Sequence, residues 1–256
     1  MWQAMRVAVV VPAYREGRLI GLTLAGVPGY VDTIVVVDDA SPDDTLARAR
    51  ASGRPELVCV RHPDNRGVGA AIVTGYRAAL QARADVVAVM AGDNQMHPDD
   101  LAALLAPIAE NRADYVKGNR LLHPAYRDMP LWRRAGTRAL AALTRAATGL
   151  GVGDTQCGYT AISANLLSVL PLDEVWPRYG YPNDLLGMIA ARGRSVTEVA
   201  VRPVYAGEES GLRVWHLLSI ARIIGRRWLR ERQNANTTPL RPRPNPKRGV
   251  ISRLAR

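Results

Sequence analysis

Apolar runs that end abruptly in turn residues recur along the first half of the chain. "RVAVVVPAY" (6–14), "VDTIVVVDDAS" (31–41), "LVCVRHPDN" (57–65) and "ADVVAVMAGDN" (84–94) are short and Val-rich, a pattern that predicts buried strands. Helical spacing fills the gaps between them, over 15–27, 43–53, 68–83 and 98–112. Strands alternating with helices predict βαβ units and a mostly parallel central sheet flanked by helices. Such sheets bind ligands beyond the carboxyl ends of their strands. Here those ends carry Pro12-Ala13-Tyr14, Asp38-Asp39, Asp64-Asn65 and Asp93, so three of the four present carboxylates.

The second half is less regular. A strand is predicted over 113–121, a helix over 130–149, and a loop entering a strand over 153–163. A short helix near 164–169, a helix over 179–193 ended by Gly193, and an alternating strand over 195–205 follow. Residues 213–232, "RVWHLLSIARIIGRRWLRER", form an amphipathic helix. Val214, Leu217, Leu218, Ile220, Ile224, Trp228 and Leu229 share one arc, with Arg222, Arg226, Arg227 and Arg230 largely on the other. Two readings stand side by side: a helix packed on the domain with a solvated basic face, or one lying on an anionic bilayer. Residues 233–256 are rich in Pro, Asn and Arg and read as a disordered basic tail. The expected organisation is a domain over 1–212, the basic helix 213–232 and that tail.

Charge sharpens this division. The formal net charge is +11, yet residues 1–212 are balanced and 213–256 carry the whole excess, with Glu231 as their one acid. A basic appendage on a neutral body suits an anionic surface, either lipid or nucleic acid. Cys59 and Cys157 lack paired spacing and fit a reducing compartment. The first apolar run reads as a strand rather than a leader, and no apolar stretch reaches about 18 residues, so no transmembrane helix is predicted. The expected location is cytoplasmic, peripheral to the membrane if the basic helix lies on lipid. No zinc-ligand spacing, GxSxG elbow or P-loop is present, and the N-terminal segment lacks the glycine-rich basic signature of a nucleotidyltransferase.

Several residue patterns suit chemistry. Adjacent carboxylates at Asp38-Asp39 repel and are hard to justify structurally. The glycine-bearing loop Asn65-Arg66-Gly67-Val68-Gly69 runs into a helix whose N-terminus would attract phosphate, although glycine also serves tight turns. Lys117, Arg120, Arg133, Arg134 and Arg138 are candidate phosphate ligands. Asp184 opens a helix, where it acts as a general base or as a cap.

Taken in order, "VVVPAYRE", "VVVDDASPDDT", "DNRGVGAA", "GDNQMHPDDL", "KGNR" and "DTQCGYTAIS" resemble the family 2 inverting glycosyltransferases of GT-A (Rossmann-like) fold. Within them the chain most resembles the dolichol-phosphate, or polyprenyl-phosphate, mannose and glucose synthases. The resemblance implies a nucleotide-diphosphate sugar donor, a divalent cation (Mg²⁺ or Mn²⁺) and a polyprenyl phosphate acceptor. It assigns Pro12, Tyr14 and Glu16 to the nucleobase pocket, Asp39 and then Asp38 to ribose or base, and Asn65 and Gly67 to the nucleotide-sugar pocket. Asp154 and Gln156 shape the sugar and acceptor side, Arg120 meets phosphate, and Asp184 stands where many inverting enzymes keep a base. Asp93 and Gln95 match the metal motif, whose first acid is replaced here by Ala91. Glu208-Glu209 stand where the family commonly has Lys or Arg. The alternatives are a soluble hydroxyl acceptor on the same donor chemistry, and a nucleic-acid-binding protein using the basic tail; the balanced body weighs against the latter.

Overall fold

A computed structural model describes residues 1–204 and 214–237, with the side chains of the last helix described over 219–233. Seven strands form one sheet: β1 (Val7–Ala13), β2 (Thr33–Asp38), β3 (Leu57–Arg61), β4 (Val86–Val89), β5 (Tyr115–Asn119), β6 (Thr160–Ser163) and β7 (Val196–Ala200). Their order is β3-β2-β1-β4-β6-β5-β7. All neighbouring pairs are parallel except those made by β6, which runs antiparallel to both β4 and β5.

Helices cover both faces, which is why the strands read as nearly continuous apolar runs instead of alternating ones. The helices are α1 (Ile20–Gly26), α2 (Thr45–Arg50), α3 (Val68–Gln81), α4 (Leu101–Ala109), α5 (Leu131–Thr148), α6 (Ala164–Leu167), α7 (Tyr181–Ala191) and α8 (Val214–Thr237). Val7, Val9 and Val11 of β1 pack with α1 and α4, while Ala8 and Val10 pack with α3 and α7. Where α3 crosses β1 the approach is close: a Cβ on Gly75 would lie 2.2 Å from Val10 Cγ1, so only glycine fits.

Element ends differ from the sequence expectation in ways that bear on the site. The helix expected from residue 15 begins at Ile20, because Arg15 takes a left-handed φ of 61° and 16–19 turn first. Ser41 does not cap the next helix. Its Oγ accepts from the Arg15 N–H at 3.0 Å and its own N–H donates to Asp38 Oδ1 at 3.1 Å, tying the ends of β1 and β2 together. Helix α8 continues past Arg232 to Thr237, into the segment expected as tail; residues 238–256 lie outside the described residues, as do Glu208 and Glu209.

The basic face assigned to α8 also needs correction. Ile220 and Ile224 pack on Leu140 of α5, and Arg227, three residues beyond Ile224, falls on the same stripe. It is 2% exposed and points into the domain. Trp228 and Leu229, expected on the buried arc, are exposed instead.

Candidate active site

A cleft of about 410 Å³ opens at the carboxyl ends of the strands. Pro12 from β1, Val89, Ala91, Asp93 and Gln95 from the β4 exit, and Arg120 from the β5 exit line it, with Gln156, Cys157 and Gly158 from the loop entering β6. That loop reaches the site because β6 is reversed: Thr160 pairs with Val89 and Lys117, so the residues before it overhang the ends of β4 and β5.

Asp93 sits on a loop fixed from both sides by one hydroxyl. Thr23 Oγ1 of α1 donates to the Gly92 carbonyl at 3.0 Å and accepts from the Asn94 N–H at 3.1 Å. Asn94 takes φ 56°, and Gln95 N–H donates to Asp93 Oδ1 at 3.1 Å. Asp93 and Gln95 therefore turn into the cleft together. Gly92 packs beside Glu16, where an added Cβ would lie 3.4 Å from Glu16 Cγ. At Ala91 the N–H faces Met96 Sδ at 3.3 Å, an apolar substitute for a second carboxylate. Among the described residues no cluster of three or more His, Cys, Asp or Glu could hold a metal. The donor set that remains, one carboxylate and one amide oxygen, still fits Mg²⁺ or Mn²⁺. Both favour oxygen ligands, and Mg²⁺ usually completes its shell with substrate phosphate and water.

Opposite Asp93 the wall is cationic. Arg120 lies along Asp154, with Nε and Nη2 donating to its two oxygens at 2.8 and 3.0 Å and the Arg120 N–H adding a third bond at 3.2 Å. Burial alone would raise the Asp154 pKa; the charge and hydrogen bonds of Arg120 outweigh it and hold the carboxyl below its ordinary value. Asp154 is fully buried, so it aims Arg120 rather than touching a ligand. Glu198 of β7 supports this loop, accepting from the N–H groups of Gly153 and Asp154 and from the Asn119 amide. Arg133 and Arg202 also line the cleft, and the Arg202 N–H is anchored to Asp100 Oδ2 at 2.7 Å. Lys117 is different. It is buried beneath the site, donates to the Cys157 carbonyl, and has its pKa lowered by desolvation, so it is no surface phosphate ligand. The remaining wall is apolar: Val68, Ile72, Met96, Met129, Trp132 and Tyr179 among others.

Three assignments from the sequence meet a different neighbourhood. Asp39 is buried, with Oδ1 2.7 Å from His62 Nδ1 and 2.9 Å from the Arg66 N–H, and Oδ2 2.7 Å from the Gly67 N–H. The His62 ring bridges Asp39 and Thr74, whose Oγ1 lies 2.9 Å from Nε2. Asp39 thus organises the glycine loop. Asp38 Oδ2 is buried without a hydrogen-bond donor, with Arg61 Nε 3.5 Å away. Neither aspartate lines the cleft, and the exposed Tyr14 beside them carries Arg15 over its ring at 5.4 Å.

The glycine loop itself packs on protein. Added Cβ atoms would lie 2.6 Å from the Pro177 carbonyl at Gly67, where φ is 97°, and 2.2 Å from the Trp176 carbonyl at Gly69. The Ala70 N–H donates to the Pro177 carbonyl at 3.0 Å, so this helix N-terminus meets backbone where phosphate was expected. Asn65 Nδ2 donates to the Asp39 carbonyl at 3.3 Å. The loop's glycines are required by close approach.

Asp184 does not line the cleft. It is fully buried, and Arg227 of α8 donates to both of its oxygens at 2.8 and 2.9 Å while the Trp176 N–H adds a bond of 2.8 Å. Desolvation would lower the Arg227 pKa, but Asp184, Glu174 and Glu231 raise it. The base expected at Asp184 is therefore a docking group for α8. Its buried neighbour Asn183 holds the cleft residue Gln156 from behind, accepting from Gln156 Nε2 at 2.9 Å and donating to Thr144 Oγ1 at 2.8 Å.

Comparison with known proteins agrees with this architecture. The profile of glycosyl transferase family 2 matches residues 8–168. Undecaprenyl-phosphate mannosyltransferase of Micrococcus luteus is 31% identical over 203 residues, 77% of this chain and 83% of the relative. UDP-N-acetylglucosamine–dolichyl-phosphate N-acetylglucosaminyltransferase of Methanococcus voltae is 28% identical over 213 residues, 77% and 85% of the two chains. Among solved structures, glucosyl-3-phosphoglycerate synthase of Mycobacterium tuberculosis, in complex with Mn²⁺, uridine diphosphate and phosphoglyceric acid, aligns with a TM-score of 0.65. That alignment has 25% identity and covers 89% of this chain and 78% of that one. The fold and site define a nucleotide-sugar enzyme of GT-A architecture. The chain belongs to glycosyl transferase family 2.

Proposed function

We propose that the chain transfers a hexosyl group from a nucleotide-diphosphate sugar to a polyprenyl phosphate, inverting the anomeric carbon. The observation that carries this reading is the composition of the cleft. Arg120, Arg133 and Arg202 converge from three segments on a mostly apolar cavity whose one lining carboxylate among the described residues is Asp93. A phosphate head on a hydrocarbon chain matches that combination of guanidinium groups and apolar wall.

The nucleoside would lie over the ends of β1 and β2, near Tyr14, Glu16, Asp38 and Asp39. Asp93 and Gln95 would hold a divalent cation, which supplies charge neutralisation for the departing diphosphate. On the chain's side, Gln95 N–H orients the Asp93 carboxylate and Thr23 fixes its loop. Asp154 holds the Arg120 guanidinium toward the cleft. A phosphate monoester has a second pKa of about 6 and is mostly ionised at neutral pH, so this acceptor needs no protein base. That agrees with Asp184 being committed to Arg227. A neutral hydroxyl acceptor would need a base, and among the described residues the cleft's lining carboxylate is Asp93.

The test is transfer from radiolabelled UDP- and GDP-sugars to polyprenyl phosphate, with free hydroxyl and small phosphorylated acceptors in parallel. Label entering the organic phase with Mg²⁺ or Mn²⁺ supports the reading. Transfer confined to water-soluble acceptors overturns the acceptor, and no binding of any nucleotide sugar overturns the donor.

A further inference from the structure

Four large apolar side chains stand exposed together: Leu122, Leu131, Trp132 and Tyr179, at 57, 74, 56 and 59%. Single exposed apolar residues are ordinary, but these mark one place. Trp132 and Tyr179 line the cleft and also face solvent, so they form its rim. Leu131 is the first residue of α5, next to Trp132, and Leu122 closes the turn that starts at the cleft residue Arg120.

Arginine dominates the charge of the segments around this rim. Residues 120–149 hold Arg120, Arg127, Arg133, Arg134, Arg138 and Arg145 against the single acid Asp128, and Arg178 adjoins Tyr179. Arg133 lies 5.3 Å from the Trp132 ring centre and Arg134 lies 5.7 Å from that of Tyr126. The inner stripe of α5, with Thr137, Leu140, Ala141 and Thr144, is buried, so the helix is anchored while its N-terminal end projects.

We infer that this rim is a membrane-docking surface that seats the mouth of the cleft on a bilayer bearing anionic headgroups. Trp and Tyr favour the boundary between headgroup and hydrocarbon, and arginines beside them meet lipid phosphate while their stems lie along apolar surface. Two of the apolar groups line an opening, and the other two lie on the segments that adjoin it. A protein seated there would seal the cleft, whereas a bilayer presents amphiphiles to it from within its own plane. Helix α8, the other candidate, is committed inward over its described side chains through Ile220, Ile224 and Arg227, and those side chains do not border the cleft that Trp132 and Tyr179 rim. Membrane contact therefore belongs to the α5 end.

The inference goes beyond sugar transfer and is read without it. Full-length protein is sedimented with vesicles of phosphatidylcholine alone or with 30% phosphatidylglycerol (a composition of about one anionic lipid in three, enough to give a negative surface). Wild type is expected to bind the anionic vesicles, more weakly at high salt. Leu122→Ser/Leu131→Ser removes two rim groups that do not line the cleft; it should weaken partitioning about tenfold or more, with an unchanged melting temperature and unchanged nucleotide-sugar binding. Leu229→Ser on α8 should bind as wild type. Equal binding by the double variant, loss of binding in Leu229→Ser, or no vesicle binding by wild type would overturn the inference. So would a lipid-free oligomer that the double variant dissolves, which would make the rim an interface between proteins. Failure here with intact transfer activity leaves the proposed reaction standing; bound vesicles with no transfer would leave the docking surface standing.

Discussion

Replacing Arg227 by Met tests the assignment of Asp184 most directly. The guanidinium makes two charge-assisted bonds to a fully buried carboxylate and also donates to the Glu174 carbonyl at 2.9 Å. Removing it leaves the buried Asp184 carboxylate with the Trp176 N–H as its remaining described donor. Breaking one side of a buried pair costs about 3–5 kcal/mol. At roughly 2–4 °C per kcal/mol for a domain of this size, the melting midpoint should fall by about 6–20 °C. Adding Asp184→Asn removes the stranded charge, and the double variant should regain most of the loss, since a neutral replacement of both partners is often close to neutral. Calorimetry on wild type, both single variants and the double variant gives the coupling energy, expected at about 2 kcal/mol or more. Transfer by the double variant should stay within about tenfold of wild type. A wild-type melting curve for Arg227→Met would show that the pair contributes nothing. A double variant that is stable but slower by about 10³-fold or more would restore Asp184 to the chemistry.

Asp93→Ala should lower kcat at least about 10²–10³-fold with the fold intact, as checked by single-turnover transfer and circular dichroism. Ala91→Asp should preserve activity and tighten Mg²⁺ or Mn²⁺, seen as a leftward shift of the metal activation curve. Arg202→Ala should weaken the acceptor more than the donor, separable by measuring KM for each substrate. Gly69→Ala places a methyl group 2.2 Å from the Trp176 carbonyl and should destabilise by about 1–3 kcal/mol in urea denaturation. Because the Asp154 pKa is lowered on folding, its contribution is complete above the ordinary carboxylate value of 3.8 and is lost as pH falls through the lowered value. The gap in melting temperature between wild type and Asp154→Asn should therefore close on acidification through that window.

The strand exits were legible because short Val-rich runs bounded by turns admit few alternatives, and Asp93 follows directly from them; Gln95, Arg120 and Gln156 came with the motifs that carry the family resemblance. Less legible was what pairing alone creates. Glu198 reads as one polar residue in an alternating strand; its role appears only when β7 lies beside β5, pairing it with Lys117. His62 carries no metal spacing and looked idle, yet the neighbouring β2 and β3 bring it to Asp39. Arg202 and Thr23 reach the site through chain reversals that no local periodicity records. Arg227 had a local signal, three residues from Ile224 on the inner stripe. An arginine on a basic helix nonetheless reads as solvated until its buried partner is known. The glycines at 67 and 69 were ambiguous for a related reason: tight packing and phosphate binding require the same residue.

The reversed strand β6 divides the sheet into two halves with separate duties. One half, β1 to β4, brings the Asp93 loop and the proposed nucleoside end; the other, β5 and β7, brings Arg120, Glu198 and Arg202. The seam between them is a single antiparallel strand whose entering loop overhangs both. Such a seam makes the enzyme modular within one domain. The acceptor half is free to diverge, or to be exchanged with that of a relative, while the donor half keeps its register, provided the short stretch from Thr160 to Ser163 still pairs on both sides.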